Sequence, residues 1–171
     1  MQALKKLFKK YRYSFATKDL VDEMLFVIPL TGPAILAIMK NYTDFLTASL
    51  ASKDTQGANT ALSLICLILH IFYSLNSVEL PEFFEDSMNS WMFYFKSLLD
   101  LKDKSETVIS CKTHVIKNIT LYCEKYVADF QSYICPFFSL IWEQIEQSTM
   151  QSDYDKVTFF YVKLNSLYQV F

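Results

Sequence analysis

Apolar residues recur three and four positions apart almost from one end of the chain to the other, and this pattern decides the fold class. An α-helix turns once in 3.6 residues, so such spacing lines apolar side chains along one face, whereas a half-buried strand would alternate them. Only two glycines, Gly32 and Gly57, and four prolines punctuate the pattern. Few residues can therefore make tight hairpin turns, which disfavours an all-β fold. With 171 residues the chain is long enough to bury a sizeable core. It is 52% hydrophobic and 20% charged, with the charges scattered. The expectation is a folded, soluble, all-α protein, neither disordered nor a membrane bundle.

Seven helices follow from the spacing. Leu4, Leu7, Tyr11 and Phe15 mark a short first helix with Lys5, Lys6, Lys9, Lys10 and Arg12 outside. A second starts near Thr17, is kinked or broken at Pro29 to Pro33, and resumes through Ile35, Ile38 and Tyr42 to about Leu50. SKDTQG (52–57) reads as a loop. The third helix, 58–76, is apolar nearly all round, which implies contact on several sides. Pro81 suits the first position of a fourth helix, whose inner stripe is Phe84, Met88, Trp91, Phe95 and Leu98. The fifth follows LKDKSE with Asp103 or Ser105 as cap; Val108, Cys111, Val115, Ile119, Tyr122 and Tyr126 face inward and Lys112, Lys117 and Lys125 outward. The sixth, after Pro136, buries Phe138, Ile141, Trp142 and Ile145, with Glu143, Gln144, Glu146 and Gln147 opposite. Ser152 and Asp155 form a capping-box pattern before a seventh helix carrying Val157, Phe160, Leu164, Leu167 and Phe171.

Helices two apart advance by roughly 46 to 50 residues, close to the ~40 to 47 of HEAT or armadillo units. A helix pair cannot bury both its faces alone, so pairs stack into a solenoid of about three and a half hairpins, a single array over 1–171. A closed bundle of six or seven helices satisfies the same periodicity. Leu4, Leu7, Leu167, Tyr168 and Phe171 leave apolar residues near both ends, so self-association is expected there.

Several function classes find no support. A formal charge of −2 sets up no field that would favour nucleic acid or acidic lipid. The apolar runs 24–39 and 61–75 fall short of the ~20 residues needed to cross a bilayer, so buried core helices are expected. MQALKKLFKKYRY lacks the long apolar stretch of a secretory leader, and the sequons at Asn41 and Asn118 fall inside helices. Cys66, Cys111, Cys123 and Cys135 sit in apolar helical patterns and read as buried free thiols. His70 and His114 lie on different helices without metal-ligand spacing, and His70 reads as a satisfied interior imidazole. Two glycines cannot make a phosphate-cradling loop. Neither enzyme chemistry nor a cofactor is indicated.

One cluster could meet a partner. Glu79, Glu82, Glu85 and Asp86 crowd the start of the fourth helix, where carboxylates stabilise the positive end of the macrodipole. The same cluster could bind a basic partner. The basic helix at 5–12 reads more simply as a solvated face, because Tyr11 and Phe15 continue its apolar stripe.

The segment LPEFFED followed by M-x-x-W (80 to 92) resembles the importin-α re-exporters, the CAS-type members of the karyopherin-β superfamily. LFKKYRYSF (7–15) and KYVADFQSYICPFFSLIWE (125–143) extend the resemblance in the same order. The resemblance implies a HEAT-repeat solenoid without enzymatic activity. It implies part of a receptor that binds importin-α together with Ran-GTP in the nucleus, returns importin-α to the cytoplasm, and shuttles through the nuclear pore. The chain looks like part of such a receptor's N-terminal arch. It departs from the family in having only LKDKSE where a longer acidic loop is common. An unrelated HEAT-like interaction scaffold is the alternative, and a small helical enzyme or ligand carrier a more distant one. On the resemblance to that family, the turn before Pro81 would act as a curvature element.

Overall fold

The structure is a computed structural model describing residues 18–75 and 82–149, with positions 2 and 6. Of the expected first helix only Lys6 is described, helical and exposed as expected; the rest of it, the seventh helix, the Pro81 helix start and the apolar residues near both ends lie outside the described residues. Every regular element among the described residues is helical: α1 (Lys18–Ala51), α2 (Thr55–Leu75), α3 (Glu82–Asp86), α4 (Met88–Leu99), α5 (Glu106–Lys125), α6 (Val127–Phe130), a 3-10 turn (Gln131–Tyr133) and α7 (Ile134–Thr149).

Local chemistry sets the turn between α1 and α2. The Lys53 amide donates to the Leu50 carbonyl at 3.2 Å and the Asp54 amide to the Ser49 carbonyl at 2.8 Å. Lys53 has φ 58, so these two bonds form the left-handed helix stop usually built on glycine. Asp54 then caps α2 by accepting from the Gly57 amide at 3.0 Å. The expected loop thus ends at Asp54, and Gly57 lies in the first turn of α2. Ser105, one of the two expected caps, starts α5 by accepting from Val108 at 3.4 Å. Asp103, the other, accepts from the Ser105 hydroxyl at 2.8 Å and holds that cap in place.

Stacked hairpins are distinguished from a closed bundle by direction. In an up-and-down bundle, neighbouring helices run antiparallel. Here α2 packs against both α1 and α5. Asn118 on α5 donates to the Leu69 carbonyl at 3.1 Å, 49 residues away. The His70 and His114 rings lie 5.7 Å apart, and Phe72 stacks with Tyr122 at 5.9 Å. From Cys66 beside Cys111, through His70 and His114, to Phe72 and Tyr122, the partners advance together along both helices, so α2 and α5 run parallel. In the other layer Tyr133, just before α7, bonds Asn89 at the start of α4, 44 residues back. Parallel packing of α5 on α2, with α7 packed on α4 at the spacing read from the sequence, is the signature of a HEAT-repeat solenoid.

The core confirms the apolar character of α2, where Ala61, Leu62, Ile65, Ile68, Leu69, Ile71 and Phe72 are all buried. Its Thr55–Ser74 window has mean hydropathy 1.5 over 20 residues, longer than the run read from the sequence, and 61% of it is buried inside the protein. Packing between α1 and α5 accounts for that apolar surface. Trp91 is fully buried with Phe72, Phe95 and Tyr122, so the stripe read for the fourth helix does hold it.

Five expectations need correction. First, α1 runs unbroken through Pro29 and Pro33. Prolines four apart remove only two ladder bonds from a 34-residue helix, and α1 still buries Ile35, Met39 and Leu46. Gly32 serves close approach instead, since a Cβ there would lie 2.6 Å from the Phe83 ring. Second, the fourth helix is divided at Ser87, whose hydroxyl bonds the Phe83 carbonyl at 2.6 Å beside its own amide at 3.0 Å. Third, Lys112 is buried rather than outward. Fourth, the buried face of α7 is Phe137, Ile141, Gln144 and Ile145, while Phe138 and Trp142 are 39% and 44% exposed and stack on each other. Fifth, of the thiols only Cys111 and Cys123 are buried; Cys66 is half-buried and Cys135 exposed.

Candidate partner-binding surface

Of the acid cluster, Glu85 and Asp86 lie on α3, which follows the end of α2. Glu79 and the Glu82 side chain lie outside what the structure describes, while Glu85 and Asp86 are exposed. Their helix is a single short turn of five residues, so dipole stabilisation is small there and the carboxylates face solvent. The chain returns to Glu85 at the end of α5. There burial first, then the negative charges of Glu85 and Asp129, push the Tyr126 hydroxyl up to about 12. Two carboxylates far apart in sequence thus share one neighbourhood, which the sequence reading did not anticipate. Carboxylates exposed in this way are open to lysine or arginine from a partner.

At the other end of α2 lies a cleft of about 320 Å³, between the α1–α2 turn and the segment joining α4 to α5. Leu46, Ala58, Leu62, Leu101 and Val108 form its apolar lining, and Lys53, Asp54 and Asp103 its polar edge. The Ser105 hydroxyl beside Asp103 holds that carboxyl below the ordinary range.

Between these ends, α2 and α5 share a polar seam. His70 meets His114 edge to face, and the Cys66 side chain bonds that of Cys111. The bond to Cys66, then burial, raises the Cys111 thiol well above its ordinary range. Nothing in the sequence spacing brought these residues together, because the contact is made between hairpins. Among the described residues no group of three or more His, Cys, Asp or Glu could hold a metal ion. Asn118, the second sequon, is fully buried, while Asn41 is exposed.

A family model described as Cse1 matches residues 7–164. The chain belongs to the Cse1 family. It is 32% identical over 171 residues to Exportin-2 of Drosophila melanogaster, covering 92% of this chain and 17% of that protein. Against Exportin-2 of Homo sapiens it is 31% identical over 158 residues, covering 87% of this chain and 16% of that protein. The structure resembles that of the exportin Cse1 in its cargo-free, cytoplasmic state, with TM-score 0.81 and 21% identity, over 95% of this chain and 18% of that one. The chain therefore spans about a sixth of the length of these Cse1-family relatives. Its resemblance to the importin-α re-exporters is upheld, and the alternative of an unrelated scaffold falls. The Cse1-family match covers all three segments that carried the resemblance.

Proposed function

We propose that this chain forms part of a nuclear export receptor that binds importin-α together with Ran-GTP and returns importin-α to the cytoplasm. On this reading residues 1–171 are one HEAT array within a longer solenoid, working by shape and charge rather than by catalysis. Membership of the Cse1 family, with a match over residues 7–164, carries the proposal. The receptor would shuttle between nucleus and cytoplasm, with neither nucleic acid nor bilayer as partner. Glu79, Glu82, Glu85 and Asp86 are the proposed partner contacts, supported by the exposure of Glu85 and Asp86.

A chimera tests this directly: the chain replaces the matching segment of the Drosophila Exportin-2. Importin-α should be retained with Ran-GTP and lost with Ran-GDP. Retention indifferent to the nucleotide, or no retention by a folded chimera, would overturn the proposal. Glu85→Lys with Asp86→Lys should weaken retention on the order of tenfold. Unchanged retention would remove these two carboxylates from the partner surface.

A further inference from the structure

We infer that Lys112 is a latch between successive hairpins, tying the end of α4 to α7 and so fixing the angle at which one repeat follows the next. Its ammonium donates to the Leu101 carbonyl at 2.6 Å and to Gln144 Oε1 at 2.6 Å. Leu101 lies just past the C-terminus of α4, where helix carbonyls lack partners within the helix and a cation is favourable. Gln144 is buried on α7 at 7% exposure, and Lys112 itself is only 6% exposed. One charged group therefore joins three elements.

The position of these bonds matters as much as their number. α7 packs on α4, so the bond from Lys112 adds a link from α5 across the hairpin boundary. Asp100, Asp103 and Lys102 place charges around the ammonium, with Cys111 beside it. A solenoid takes its curvature from small rotations summed over repeats. Apolar packing tolerates sliding, whereas a short charge-assisted bond between buried groups holds one geometry. The latch thus sets orientation at a junction where burial alone would leave several.

Amide hydrogen exchange on the full chain tests the inference, with Lys112→Met, Gln144→Leu and the double variant. Lys112→Met should speed exchange on the order of tenfold both in residues 100–105 and in α7. Gln144→Leu should also speed exchange at 100–105, reached from Gln144 through the Lys112 ammonium, and the double variant should add little. The reciprocal effect of Gln144→Leu keeps the test decisive even where Lys112→Met fails to fold. Exchange confined to α7 in Gln144→Leu, or independent additive effects in the double variant, would overturn the latch.

Discussion

The Phe72 ring lies 4.0 Å from that of Trp91, centre to centre, at a tilt of 35°, and it joins the second helix of one hairpin to the first helix of the next. Both side chains are fully buried. The indole nitrogen of Trp91 has no hydrogen-bond partner among the described residues, so the ring acts through packing. Trp91→Ala should cost about 3–5 kcal/mol in urea unfolding. Trp91→Phe should cost about 1.5 kcal/mol or less, because it keeps most of the volume and removes an unpaired donor. Equal losses in the two variants would place the energy in the nitrogen instead.

Gly32 gives a prediction whose sign depends on its neighbour. Alanine normally gains about 1 kcal/mol over glycine within a helix. Here the added methyl would sit 2.6 Å from two atoms of the Phe83 ring, so Gly32→Ala should destabilise by about 1–3 kcal/mol. With Phe83→Ala already in place the clash is gone. In that background Gly32→Ala should stabilise, and a thermal-unfolding comparison of the four proteins reads the reversal.

Lys53 occupies the left-handed position that ends α1, at φ 58. An L side chain is disfavoured there, and glycine is the usual occupant. Lys53→Gly should raise stability by about 0.5–1 kcal/mol, whereas Lys53→Val should lower it. Chemical denaturation of both variants checks the pair, and equal effects of glycine and valine would exclude backbone strain as the cause.

Much of this architecture was legible because it is local. The Trp91 stripe, the Ser105 cap and the apolar girdle of α2 follow from spacing within one helix. What escaped depends on contacts between hairpins. Lys112 looked outward beside Lys117 and Lys125, yet α7 and the end of α4 close over it and supply its acceptors. In α7 both Phe137 and Phe138 are followed by apolar residues at helical spacing, so periodicity permitted either face. Packing chose Phe137 and carried Gln144 inward with it. The exposure of Glu85 and Asp86 agrees with their place at the start of the expected fourth helix, but the placement of Asp129 near Tyr126 together with Glu85 required the turn after α5.

Stability should pass through a maximum near pH 9, and Lys112 should create its rising side. Burial first, then Lys102, lowers the Lys112 ammonium from its ordinary 10.5 to about 8, with Asp100, Cys111 and Asp103 opposing. Between those values the unfolded chain holds more protons at this position than the folded one, so stability increases with pH. The penalty is full below pH 8 and relieved as pH approaches 10.5. One group can supply a slope of at most about 1.4 kcal/mol per pH unit. Burial first, then Glu124, raises Cys123 from 9.0 to about 11, and Tyr126 stands at about 12 instead of 10.0. Those groups keep their protons in the folded state, as does Cys111, whose thiol the bond to Cys66 and then burial hold well above 9.0. Two thiols then outweigh the one ammonium, so stability falls above about pH 9 as the unfolded chain loses their protons. Urea midpoints should therefore rise from pH 7.5 to 9 in the unaltered chain. In Lys112→Met they should stay level or decline over the same interval, and an identical rise in that variant would assign the titration to another group.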